Sequence, residues 1–98
     1  MTDDEAIELA LSMSTFQRKV LIQFSREEGW GYRFVAAKVG ATYTAIQAVG
    51  RFLTSRKLAR ITLLRVGSEY AGSGLVLNER GHHVSQAAKI IEKKLSHA

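Results

Sequence analysis

The sequence predicts a mostly α-helical fold of the α+β class: four helices, one β-hairpin and a closing helix, in that order. Two observations support this order. Apolar residues recur at helical spacing over most of the chain, and capping residues precede several of these segments. The pattern changes at residues 60–66 (RITLLRV), where aliphatic and β-branched residues follow one another as in a strand.

Two capping boxes mark the first two helices. Thr2 with Glu5 precedes the first, and Ser14 with Gln17 precedes the second, which is predicted to run from 15 to about 28. The apolar face of the first helix consists of Ile7, Ala10 and Leu11. The inward positions of the second helix are Phe16, Val20, Leu21 and Phe24. The sequence EGWG at 28–31 breaks this helix.

A short third helix and a longer fourth one follow. The third carries Phe34, Val35 and Val39 and ends at Gly40, which is suited to a C-terminal cap. Thr42 caps the fourth helix, predicted over 42–57. One side of this helix carries Ile46, Val49 and Leu53. Another side carries polar residues and a cation, with no acid among them: Tyr43, Thr44, Gln47, Arg51 and Thr54. Such a helix suits a DNA major groove.

The second half of the chain reads as a hairpin and a final helix. Strands at 60–66 and 75–77 flank a long turn at 67–74 (GSEYAGSG), and Asn78 caps a helix from 79 to about 96. In that helix four apolar residues recur with near-heptad spacing, namely Val84, Ala88, Ile91 and Leu95. Trp30, between two glycines, is either a core plug or part of a short strand that pairs with the hairpin.

Three helices followed by a hairpin form the layout of a winged helix, a helix-turn-helix with a β-wing. We therefore predict one domain over 1–98, with an N-terminal extension helix at 1–13, a winged-helix core at 15–78 and a C-terminal helix at 79–97. The core contains three helices and a two-stranded wing, and the two terminal helices are additional to it.

Charge and composition narrow the function. The 98 residues carry a net charge of +5, although the first thirteen residues hold four acids and no base. The remainder is strongly basic, which favours a polyanionic partner. Without cysteine there is no disulfide framework or thiolate site. There is no signal peptide and no apolar run long enough to span a membrane, so we expect a cytoplasmic protein.

Three stretches resemble the winged-helix domain of MarR-type bacterial transcription regulators. VAAKVG at 35–40 is similar to the entry of the helix-turn-helix in that family, 41–58 to its recognition helix, and LNERG at 77–81 to the end of its wing. Lys57 stands where the family usually has glycine. ArsR- and PadR-type winged helices are alternative families. The resemblance implies binding to double-stranded DNA and regulation of transcription.

The resemblance also implies roles for individual residues. The predicted base contacts are Tyr43, Thr44, Gln47 and Arg51. The predicted phosphate contacts are Arg33, Thr42, Arg56, Lys57 and Arg65. As alternatives, Tyr43 packs over the start of its helix and Thr44 serves as a cap. A small-molecule effector is not defined by the sequence.

The terminal helices suggest a homodimer. Their apolar residues are suited to an interface between two copies, and the predicted set is Ile7, Leu11, Val84, Ala88, Ile91 and Leu95. The alternative is that both helices complete the core of the monomer. A second functional alternative is a winged-helix module that binds protein rather than DNA, because the wing tip carries Glu69 and no base.

Catalysis and cofactor binding are not expected. No nucleophile motif or phosphate loop occurs, and the adjacent residues His82 and His83 point about 100° apart on a helix. They therefore cannot hold one metal ion in the i, i+4 manner. We predict neither an enzyme nor a metal or cofactor site.

Overall fold

The computed structural model describes residues 1–26 and 30–96. Within them the chain forms five helices and one two-stranded antiparallel sheet, which confirms the predicted class. The elements are α1 (Asp3–Leu11), α2 (Thr15–Ser25), α3 (Tyr32–Val39), α4 (Tyr43–Ser55), β1 (Ala59–Val66), β2 (Glu69–Leu77) and α5 (Glu79–Ser96). Their order is that of a winged helix with an added helix at each end.

Local capping fixes where the first two helices begin. The Thr2 side chain accepts a bond from the Glu5 amide at 3.2 Å, and the Glu5 carboxylate accepts one from the Thr2 amide. The bond from the Thr2 amide, and then one that the Thr2 hydroxyl donates to the same carboxylate, hold the pKa of Glu5 below its ordinary value. Ser14 and Gln17 form the same reciprocal pair. The second helix ends earlier than predicted, because Arg26 is already extended, and residue 28 lies outside the described residues.

The core lies between the helix-turn-helix, the base of the wing and α5. Its largest fully buried side chains come from each of these parts, and they include Leu21, Ile46, Leu53, Leu58 and Leu75. The sides of α5 that pack against other elements contribute small or branched residues to this core. The terminal helices thus pack on the same core as the helix-turn-helix and do not stand apart from it.

The first helix packs on α5 through its small residues. Ala6 and Ala10 are completely buried, whereas Ile7 and Leu11 are 38% and 60% exposed. The predicted apolar face is therefore rotated: the seam follows the alanines, which let the two helix backbones approach closely. The larger side chains remain at the surface.

One buried arginine joins the ends of three helices. Arg18 in α2 donates from Nη1 to the carbonyls of Ala10 and Met13, at 3.0 and 2.6 Å, where α1 ends. Its Nε pairs with Glu92 of α5. Because carbonyls at a helix C-terminus lack partners within the helix, this side chain acts as a charged cap.

The wing differs from the predicted hairpin with a long tip. Val66 pairs with Glu69, so only Gly67 and Ser68 form the turn, and most of the predicted loop belongs to β2. The register shifts once, between Leu64 and Arg65, as at a β-bulge. The glycine-rich run is strand here because tertiary pairing overrides its weak intrinsic preference.

The segment before α3 pairs with the inner strand of the wing. The Leu75 amide donates to the Trp30 carbonyl at 2.9 Å, and Gly31 forms a bridge with Gly74. A Cβ at Gly74 would collide with the Trp30 carbonyl, so glycine permits this approach. The Trp30 side chain is 50% exposed. Of the two alternatives for Trp30, pairing with the wing is confirmed and the core plug is wrong.

Candidate nucleic-acid interface

The fourth helix begins and ends with local signals that the sequence contains. Gly40 is left-handed, with φ 70°, and turns the chain between α3 and α4. The Thr42 side chain then accepts a bond from the Ala45 amide at 3.1 Å. At the other end Lys57 has φ 60°, and Leu58 donates to the Leu53 carbonyl at 3.0 Å. This is a Schellman motif with lysine at the position that favours glycine.

The two faces of α4 are sharply different. Ile46, Val49 and Leu53 are buried, as predicted. The outermost stripe is Thr44, Ala48, Arg51 and Ser55, all of which are exposed. These positions follow the i, i+4, i+7, i+11 spacing of one side of a helix. A continuous exposed stripe, polar except at Ala48, therefore lies opposite a face that is buried in the core.

The predicted base contacts all lie on this helix, but they are not equally accessible. Thr44 and Arg51 belong to the outermost stripe, whereas Tyr43 and Gln47 are half-buried on the flank that faces α3. The sequence-based set omitted Ala48 and Ser55. The signal that reveals Ala48 is its spacing, four residues after Thr44 and three before Arg51.

Tyr43 packs at the start of α4, which was the alternative considered for it. Its ring meets the Tyr32 ring edge to face, with centroids 5.8 Å apart. Burial raises the pKa of the Tyr32 hydroxyl, the neighbouring Tyr43 raises it further, and Arg51 acts in the opposite direction. Tyr43 also lines a groove of about 300 Å³ between the helix-turn-helix and the wing. The other residues lining this groove are Arg33, Tyr70, Ala71 and Gly72.

The predicted phosphate contacts lie around the exposed face of α4. Arg33, Arg56 and Lys57 are exposed, and the Arg56 guanidinium lies 5.1 Å from the centroid of the Phe52 ring. Thr42 is exposed as well, although its oxygen already caps the helix. Arg65 turns back on the wing and donates to the Ser68 carbonyl at 3.3 Å.

The charge of this region has one sign. Between residues 30 and 68 the sequence contains seven basic residues and no acid. They are Arg33, Lys38, Arg51, Arg56, Lys57, Arg60 and Arg65. Arg60, exposed at the start of β1, was not among the predicted contacts. The segment that contains α3, α4 and the wing's first strand is therefore basic throughout, and Glu69 follows directly after it in the sequence.

The residues predicted for dimerisation divide into two groups. Val84 and Ala88 are completely buried within the chain, so in this structure they belong to the core of the monomer and are not available to a second copy. Ile91 is half-buried against the same core. Ile7, Leu11 and Leu95 are exposed, and Ile90 of α5, which was not predicted, is 54% exposed.

A metal-binding cluster does not occur in residues 1–26 and 30–96, because no group of three or more His, Cys, Asp or Glu side chains there is arranged to hold a metal ion. His83 instead pairs with Asp3, with Nε2 and Oδ1 2.7 Å apart, and so links α5 to α1. Among the helices of this described part, none is both long and apolar enough to cross a membrane.

Comparison with solved structures identifies the fold. The transcriptional regulator PcaV of Streptomyces coelicolor, solved with its natural ligand, matches 86% of the chain with a TM-score of 0.70 and 24% identity. CouR of Rhodococcus jostii RHA1, solved with p-coumaroyl-CoA, matches 94% with a TM-score of 0.73 and 23% identity. MepR of Staphylococcus aureus, solved with DNA, matches 89% with a TM-score of 0.71 and 16% identity.

The fold is therefore the winged helix of MarR-type transcription regulators, as predicted. These structural neighbours are regulators rather than enzymes. The chain spans 58% of PcaV and 64% of CouR and of MepR, so it matches only part of each. No protein-family model matches the sequence, and no curated protein is significantly similar to it.

Proposed function

We propose that the protein is a small transcription regulator that binds double-stranded DNA sequence-specifically, with α4 in the major groove. The observation that carries the proposal is the exposed stripe of α4 on a helix whose opposite face is buried. A major groove about 12 Å wide admits one α-helix. The fold shared with MepR, which was solved with DNA, supports DNA binding by this chain.

Three residues of the stripe have a chemical role in this proposal. Thr44 contacts a base edge or a thymine methyl, and Ala48 allows close approach to another methyl group. Arg51 binds guanine or a phosphate. On the flank, Gln47 pairs with adenine and Tyr43 reaches a base from the groove beside the wing.

The surrounding basic residues fix the position of the protein on the duplex. Arg33, Thr42, Arg56, Lys57 and Arg65 contact phosphates in this proposal, and Arg60 is added to them because it is exposed and belongs to the same basic segment. Phosphate contacts carry no sequence information, but they release counterions. Affinity should therefore fall steeply as salt rises.

We also propose that two copies associate through the terminal helices. The support is a set of exposed apolar side chains on α1 and α5, namely Ile7, Leu11, Ile90 and Leu95. A two-fold dimer would place two copies of α4 on half-sites separated by about one helical turn of DNA, roughly 10 base pairs. The protein acts in the cytoplasm in this proposal, without a catalytic or cofactor site.

Selection of bound duplexes from a random pool, combined with the mass of the free protein in solution, tests both proposals. The expected result is a palindromic site and the mass of two chains. A single half-site with the mass of one chain would reject the dimer alone. No binding to any duplex at low salt would reject DNA recognition.

Three variants then separate base contacts from charge. Gln47→Ala should relax preference at one position of the selected site, whereas Arg33→Ala should weaken all duplexes alike. Lys94→Ala, which removes a charge in the last turn of α5, is the charge-matched control and should change binding little. Equal weakening of all duplexes by Gln47→Ala would contradict its assigned role.

A protein-binding role is the second candidate. The wing exposes Ile61, Leu63 and Val66, which are 49%, 57% and 75% exposed, and phosphate contacts do not require such side chains. If the selection yields no duplex, this surface of the wing is the first to test against protein partners, by substitution of Leu63 with serine.

A further inference from the structure

One buried aromatic ring connects the body of the domain to the helix that faces DNA in the proposed function. Tyr32, the first residue of α3, is only 3% exposed. Its ring meets Phe24 of α2 edge to face, with centroids 6.0 Å apart and planes at 77°. On its other side it meets Tyr43 of α4 at 5.8 Å and 72°.

The same ring also approaches the backbone of α4 at a glycine. A Cβ built on Gly50 would lie 2.5 Å from the Tyr32 hydroxyl oxygen and 3.0 Å from Cζ. Glycine in a helix interior is unfavourable relative to alanine, and the close contact with Tyr32 gives a physical reason for it at this position. Here the absent side chain makes room for the phenol.

Together these contacts fix the recognition helix at two points. Tyr43 and Gly50 are seven residues apart, hence on the same side of α4 and about 10 Å apart along its axis. Tyr32 touches one through its side chain and the other at its backbone. Because Phe24 packs against the other end of these contacts, the Tyr32 ring determines the rotation of α4 about its own axis and the position of its first turn.

We infer that Tyr32 is a positioning residue. Through its contact with the backbone at Gly50, it determines how α4 presents its exposed stripe and Tyr43 to DNA. The inference rests on the proposed function. It assigns Tyr32 no contact with DNA: the ring is buried, whereas Tyr43 lines the groove beside the wing. Base selectivity is thus controlled by a contact that lies behind the reading face.

The close approach at Gly50 allows a test by steric compensation. Gly50→Ala adds a methyl group that the buried ring cannot avoid without displacing Tyr43 or α4. Tyr32→Phe removes the atom at 2.5 Å and leaves the nearest ring carbon at 3.0 Å, which small shifts can relieve. The double variant Gly50→Ala with Tyr32→Phe should therefore regain the native arrangement.

Base selectivity is measured as the ratio of affinities for the selected duplex and for duplexes with one base pair changed. We expect Gly50→Ala to lower this ratio about tenfold, and Tyr32→Phe and the double variant to stay within about twofold of the native protein. The thermal stability of Gly50→Ala should fall by less than its loss of base selectivity would suggest, because alanine has a higher helix propensity than glycine. A purely structural role would instead lower stability and affinity for all duplexes together.

The free protein provides a second measurement, which does not depend on DNA. Backbone amide chemical shifts of α4 should move in Gly50→Ala and return in the double variant. Tyr32→Leu, which keeps the space at Gly50 but removes the ring, should shift Tyr43 most and serves if Gly50→Ala does not fold.

The outcomes separate the two claims. If the native protein binds no duplex, the proposed function fails, and the amide shifts still decide whether Tyr32 positions α4. If it binds and Gly50→Ala keeps its selectivity, or the double variant recovers nothing, the positioning role is wrong while DNA recognition stands.

Discussion

The first and fourth helices begin with the same kind of cap, but different kinds of side chain anchor them to the core. Each follows a threonine cap, and each mixes apolar with polar residues. The fourth buries its large side chains, such as Ile46 and Leu53, and exposes a polar stripe. The first buries Ala6 and Ala10 and exposes Ile7 and Leu11. Both helices contribute to the core, but the one anchored by alanines leaves its large apolar side chains at the surface.

The C-terminal ends of α1 and α4 also differ in what holds them. The last carbonyls of α4 are satisfied by the backbone of the residues that follow, around Lys57. The last carbonyls of α1 also accept bonds from the residues that follow, Ser12 and Met13. In addition, the carbonyls of Ala10 and Met13 accept from the side chain of Arg18, which comes from another helix. Thus both helices are completed locally, but the end of α1 is also fastened to α2 by a side-chain contact that one substitution can remove.

The largest contrast should appear between two leucines. Leu53→Ala removes a fully buried side chain and should lower the free energy of unfolding by about 3 kcal/mol. Leu11→Ala removes an exposed one and should change it by no more than about 0.5 kcal/mol. Urea unfolding followed by circular dichroism, at concentrations where the mass is that of one chain, measures both. Similar losses would contradict the opposite anchoring of α1 and α4.

A smaller effect is expected from removing the arginine that fastens α1. Arg18→Met keeps much of the apolar stem but leaves the carbonyls of Ala10 and Met13 without their charged donor, which should cost about 2 kcal/mol. Glu92 is partly exposed, so the carboxylate left behind can be hydrated.

Hydrogen exchange of the backbone amides shows which helix loses stability in Arg18→Met. Amides of α1 should exchange faster in Arg18→Met, while those of α4 keep their protection relative to global unfolding. Lys19→Met, at the exposed neighbouring position, is the matched control and should leave α1 unchanged. Uniform acceleration in both helices would show that α1 is not a separately fastened element.

The comparison also explains which features the sequence predicts well. The starts of α1, α2 and α4 depend on bonds between residues three apart, so Thr2, Ser14 and Thr42 reveal them without any tertiary information. The buried face of α4 follows from the spacing of large residues. The order of elements, and hence the winged-helix class, required only such local signals.

Features that depend on small residues or distant contacts were not predictable in this way. The seam of α1 follows alanines, which hydrophobic periodicity weights less than Ile7 and Leu11. Ala48 was missed for the same reason, and the glycine-rich strand of the wing because its pairing is tertiary. The contact of Tyr32 with Gly50 joins residues far apart in sequence, and nothing local indicates it.

The smallest predicted effect concerns the left-handed residue that ends α4. Lys57→Gly should raise the free energy of unfolding by about 0.5–1 kcal/mol, because glycine adopts φ 60° without the steric cost of a Cβ. Lys57→Ala keeps that cost and should give no such gain. Urea unfolding compares the two.

Their DNA binding should nevertheless change together. Both variants lose the same charge, so if Lys57 contacts a phosphate, both should weaken all duplexes alike and reduce the salt-dependence slope by about one unit. A gain in stability without that change would mean that Lys57 does not touch the duplex. The reverse result, weaker binding without a gain in stability, would mean that the left-handed conformation costs little. Both variants remove the charge, but only Lys57→Gly relieves the left-handed backbone. The pair therefore tests separately whether Lys57 contacts DNA and whether its conformation destabilises the end of α4.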